Sequence, residues 1–171
     1  MVSAGPAGAD LRNLRDTRLL NLAARVLSTR MLKTIREEKG LVYSIRASSD
    51  PAVIYPGFGR FVAVAPTDPG KAQALAAALE EMYAAFAKDG PSDEELTVAK
   101  KQTATLLDEI MKTPDYWAGH LSTLDYRGIG IDDVLAAPSQ YASFSARDVQ
   151  DAFARYDRPE SRFRFIITPR S

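Results

Sequence analysis

An α+β two-layer sandwich, a mostly antiparallel sheet covered on one face by helices, follows from three features of this sequence. Two stretches with strand alternation, Val42 to Ala47 and Phe58 to Ala65, lie in its first half. A third, Arg162 to Thr168, ends it. Between them run apolar stripes at helical spacing, long enough to roof a sheet.

Taken in order, the first ten residues, MVSAGPAGAD, lack the apolar core of a secretion signal and read as a flexible leader. Residues 11–171 then make a single domain. Leu19, Leu22, Ala23, Val26 and Leu27 recur at i, i+3, i+4 and i+7, the rhythm of a half-buried helix. Ser28 and Thr29 are placed to cap a second short helix that turns Met31, Leu32 and Ile35 inward. Its apolar rhythm stops at Ile35, Arg36 to Lys39 fill the last turn, and Gly40 stands where helices exit through a left-handed residue. The strand that follows carries Tyr43, Ile45 and Ala47 on one face and Val42, Ser44 and Arg46 on the other. Ser48 to Gly57 forms a loop with two prolines beside this junction, placed to contact a ligand.

Asp68 as N-cap and Pro69 at the first helical position open a helix whose stripe runs from Ala72 through Leu79 to Phe86. Asp89, Gly90 and Pro91 end it, and Ser92 with Glu95 forms a capping box for the next helix, Leu96 to Ile110. A third helix spans Asp115 to about Tyr126, closed by Gly128 and Gly130. Ser145 caps a last helix, with Phe144 stapled to Val149, and the final strand is closed by Pro169. Only three strands are legible. Nothing strand-like precedes the first helix, and the sheet reads as having an open edge for another chain or a second copy.

Composition excludes several functions. The charges balance at 22 bases and 22 acids, against a general nucleic-acid or anionic-membrane binder. They are segregated all the same: residues 11–39 hold eight bases and three acids, residues 68–110 four bases and nine acids. No apolar run approaches the roughly 20 residues of a membrane span. With no cysteine and one histidine, thiol chemistry is absent and a catalytic zinc, which needs three protein ligands, has no ligand set here. His120 has Tyr116, Trp117, Thr123 and Leu124 on its helical face and reads as a packing residue. No nucleophile elbow or phosphate loop occurs, and GIGID at Gly128 reads as a turn. Glu37/Glu38 and Glu94/Glu95 are adjacent on helices and splay into solvent.

Arg36 and Tyr43 stand out instead, seven residues apart across the glycine turn in REEKGLVYS. This stretch resembles the signature of the C-terminal, non-zinc half of the pitrilysin/insulinase family of metallopeptidases. The order of the later helices, the Tyr116/Trp117 pair and the closing strand extends the resemblance from about Leu19 to Pro169. It implies a metallopeptidase-like half-domain in which Arg36 and Tyr43 bind peptide substrate, and, since that family's domain begins with further strands before the first helix, one truncated here at its N-terminal strands. Zinc and its HxxEH motif would belong to a partner catalytic half, on the same polypeptide or a separate subunit, and this chain alone would be inactive. The family also suggests a bacterial periplasmic setting. The alternative is a non-catalytic structural or assembly subunit with the same fold, which would need neither Arg36 nor Tyr43.

Overall fold

The computed structural model describes residues 1–168, so the predicted stop at Pro169 lies outside the described residues. In chain order the elements are β1 (Val2–Gly5), α1 (Leu14–Met31), β2 (Arg46–Asp50), β3 (Arg60–Ala65), α2 (Ala72–Asp89) and α3 (Asp93–Ile110). The short helices α4 (Pro114–Leu121), α5 (Leu124–Arg127), α6 (Ile131–Leu135) and α7 (Ala137–Ser143) follow, then α8 (Ala146–Tyr156) and β4 (Phe163–Ile166). The strands pair antiparallel in the order β2-β3-β1-β4, with Ala47 opposite Ala63, Ala63 opposite Ala4, and Val2 opposite Ile166.

The expected leader is in fact β1, a central strand lying between β3 and β4. Its small residues, which read as flexibility, are what allow close approach. A β-carbon on Gly5 would lie 1.8 Å from the carbonyl oxygen of Phe61, and one on Gly59 would lie 2.1 Å from that of Ala9. The Phe61 N–H donates to Pro6 O at 3.0 Å and the Gly8 N–H to Gly59 O at 2.7 Å, so the glycine-rich segment is sealed against β3. The premise for missing N-terminal strands, that nothing strand-like precedes the first helix, does not hold.

Val2, Ala4, Phe61, Ala63 and Ala65 are buried under the helical layer, in one cluster with Leu20, Leu27, Leu79 and Phe86. Phe153 of α8 sits at its centre, 5.1 Å from Phe61 and 5.0 Å from Phe86 between ring centroids, both edge-on. Tyr83 is buried too. Its hydroxyl donates to Ala4 O at 3.0 Å, pinning α2 to β1, and burial pushes the phenol's pKa far up.

The predicted capping box of Ser92 with Glu95 forms, and the predicted Ser145 cap forms as part of a second box, with Asp148. Ser28 does not cap. α1 runs through it from an Asn13 N-cap, and the Ser28 hydroxyl accepts from the Ala47 N–H at 3.0 Å, clasping edge strand β2 to the helix. Asp68 makes no side-chain cap either; one 3₁₀ turn, Pro69–Lys71, precedes α2. The predicted helix from Asp115 to Tyr126 is broken at Ser122 and Thr123 into α4 and α5. The segregated charges meet each other in part: Arg30 pairs with Glu95 at 2.6 Å, and Lys39 with Glu81 at 3.7 Å.

Candidate functional site

Beyond Met31 the first helix passes without a break into a wider π-helical stretch, Leu32–Glu38, where the Lys39 N–H reaches back five residues to Thr34 O at 3.0 Å. Such wide turns are uncommon and recur at functional sites. Gly40 then takes φ +59°, and the Leu41 N–H returns six residues to Ile35 O at 3.1 Å, the closure expected of a glycine exit. No β-carbon at Gly40 would touch anything, so glycine is required there for its backbone conformation and not for space.

The expected strand from Val42 is shorter, beginning only at Arg46. Leu41 to Ile45 is a bend in which Val42 and Ile45 are buried pegs while Tyr43 stands out between them, 83% exposed. Tyr43 therefore does not share a face with Ile45. The bend returns its ring toward the helix end, and the Arg36 guanidinium carbon lies 5.4 Å from the ring centroid. A cation over an exposed ring is worth about 0.5–1 kcal/mol. That is enough to bias the two side chains toward one rim.

Among the described residues Arg36 has no carboxylate within ion-pair distance. Arg30, one turn and a half earlier, differs: it forms two bonds to Glu95, donates to Gly90 O at 2.9 Å, and lies over the Phe86 ring. Its guanidinium, bonded to the carboxylate, holds Glu95 at a pKa of about 2. Arg30 is thus structural, whereas the forked donors of Arg36 and the phenol of Tyr43 remain available to a carbonyl or an oxyanion.

Sequence reading missed two residues here. The Thr67 hydroxyl donates to Leu41 O at 2.7 Å, and the Lys71 ammonium to Gly40 O at 3.0 Å. Both arrive from the connection after β3, a separation no local pattern reports. The Ser48 to Gly57 loop, expected beside the junction, lies at the other end of β2, and its first three residues belong to that strand. Five strand residues span about 16 Å. The loop's exposed Val53, Ile54, Tyr55 and Phe58 therefore face a different end of the sheet.

A groove of about 560 Å³ opens beside Ile45 to Ser49, walled by α1 and α3, and is lined by neither Arg36 nor Tyr43. His120 packs its ring 4.1 Å from that of Tyr116, with Nδ1 2.8 Å from Tyr116 O. No three His, Cys, Asp or Glu side chains among the described residues converge as a metal site, so the donor set does not fit zinc. No helix among the described residues is long and apolar enough to cross a membrane.

Similar folds occur in peptidase structures. The chain superposes on a peptidase M16 inactive domain from Pseudomonas fluorescens with TM-score 0.83 at 17% identity, covering 95% of this chain and 39% of that one. It matches the inactive peptidase domain of a candidate zinc protease from Bordetella parapertussis with TM-score 0.81 at 20% identity, covering 99% and 91%. The periplasmic protease PqqL from Escherichia coli aligns with TM-score 0.68 at 17% identity, over 95% of this chain and 18% of that one. The chain thus spans about two fifths of the Pseudomonas protein and under a fifth of PqqL. No curated protein matches the sequence. The family model for the peptidase M16 inactive domain matches residues 4–103, a span that contains both Arg36 and Tyr43. The match covers more than half of the chain, which bears out the resemblance to the non-zinc half of these metallopeptidases: the protein belongs to the peptidase M16 inactive-domain family.

Proposed function

We propose that this domain binds peptide substrate through Arg36 and Tyr43 and completes the active site of a catalytic half that carries HxxEH and its zinc. The observation that carries this reading is the pairing of an arginine free of carboxylates with an exposed tyrosine, 5.4 Å apart at one rim. Fixed donors at a helix exit hold a peptide carbonyl in place, or stabilise negative charge on it as the amide is attacked. The chain alone is then inactive, because it supplies donors but no nucleophile activation. The outer edges of the sheet, at β2 and β4, are where the catalytic half or a second copy would add. A periplasmic setting is supported by the likeness to PqqL.

The test is peptide hydrolysis by the cognate zinc-bearing half with this chain wild type, Arg36→Ala, Tyr43→Phe, or absent. Either substitution is expected to lower the rate by roughly 10² to 10³, as for a lost oxyanion donor. Unchanged rates with the chain still required would make it an assembly subunit instead.

A further inference from the structure

We propose that Thr67 is a positioning residue for the Arg36/Tyr43 pair, a role that rests on the peptide-binding reading above. The turn bearing Tyr43 has little to hold it. It leaves the helix at Gly40 and joins the sheet only at Arg46, so Gly40 to Ile45 lacks ladder bonds. Val42 and Ile45 peg its depth but not its direction along the rim. Direction comes from the carbonyls of Gly40 and Leu41, each of which accepts a hydrogen bond from a side chain beyond β3.

Thr67 meets the second of these carbonyls at 2.7 Å from a half-buried position two residues past the end of β3. As a β-branched residue next to a sheet strand it has few rotamers, so the hydroxyl is aimed by the sheet itself. Lys71 reaches Gly40 O from an exposed, flexible stem and holds less. The core of the sheet thereby fixes where the phenol and the guanidinium meet. A peptide bound at the rim would find its donors already oriented.

The experiment is proton NMR of this chain without peptide, reading the ring-current shift that Tyr43 imposes on the Arg36 side chain, with Tyr43→Leu as the zero. Thr67→Val, which keeps shape but not the hydroxyl, is expected to lose most of that shift, and Thr67→Ser to retain it. Core resonances of Phe153 and Tyr83 should not move in either. A folded Thr67→Val with the full shift overturns the proposal. Should valine prevent folding, Thr67→Ala against Thr67→Ser decides the same question. With the zinc-bearing half, Thr67→Val is expected to lower kcat/KM about 2- to 10-fold, the worth of one hydrogen bond, with Thr67→Ser restoring it. If Arg36→Ala leaves hydrolysis intact while Thr67→Val abolishes the shift, the functional reading falls and the positioning role stands. If Arg36→Ala is damaging but Thr67→Val changes neither shift nor rate, the reverse holds.

Discussion

Replacing Glu95 by glutamine removes one negative charge from the strap between α1 and α3 and leaves most of its geometry in place. A glutamine still serves the capping box with Ser92, so the helix start survives. What is lost is the charge opposite Arg30, bonded at 2.6 and 2.7 Å through Nε and Nη2. The Arg30 bonds are the main reason the Glu95 pKa falls from 4.5 to about 2. In full, that fall corresponds to roughly 3 kcal/mol of stability at neutral pH. The two side chains are 27% and 30% exposed, and solvent screening reduces the figure to about 1–2 kcal/mol. Because the folded carboxyl is the stronger acid, its contribution is complete above pH 4.5 and drains away as pH falls toward 2. Chemical denaturation of wild type and Glu95→Gln across that range gives the difference directly. The curves should lie about 1–2 kcal/mol apart at pH 7 and converge as pH approaches 2. A gap that keeps its size down to pH 2.5, or no gap at pH 7, would refute this account of the strap.

The glycines offer two sharper contrasts. Gly40→Ala forces a side chain into φ +59° and should cost about 1–2 kcal/mol by denaturation, although the added methyl touches nothing. Gly70→Ala, also with open space around it, serves as the control and should be close to neutral. Gly5→Ala puts a methyl 1.8 Å from Phe61 O and should destabilise by at least about 2 kcal/mol, with amide exchange of β1 and β4 accelerating first.

Helices and caps were legible in the sequence because their signals are local. Ser92/Glu95 and Ser145/Asp148 satisfy donors three residues away, and the stripe from Ala72 to Phe86 needs only a face to bury. The helix stop at Gly40 in REEKGLVYS was legible in the same way, whereas the strand expected to start at Val42 begins only at Arg46. β1 was not legible. Val2–Gly5 has almost no strand character of its own and exists because β3 and β4 pair with it on either side, β3 closely enough to exclude any side chain at Gly5. That Ser28 does not cap a helix was hidden for a related reason, since its hydroxyl is taken by the N–H of Ala47, nineteen residues on.

The site divides along the same line. By itself the sequence determined which groups are available: one guanidinium, one phenol and a glycine turn between them, with no metal ligand set. Only the tertiary structure decided that Tyr43 faces outward between two buried pegs and meets Arg36 at 5.4 Å. It also decided that the Thr67 hydroxyl, just past the end of β3, meets the Leu41 carbonyl in that turn, and that the Ser48 to Gly57 loop belongs to the other end of β2. The physical reason is range. Propensity and capping act over three or four residues, whereas the direction of an unpaired turn is set by whichever carbonyl a remote side chain can reach.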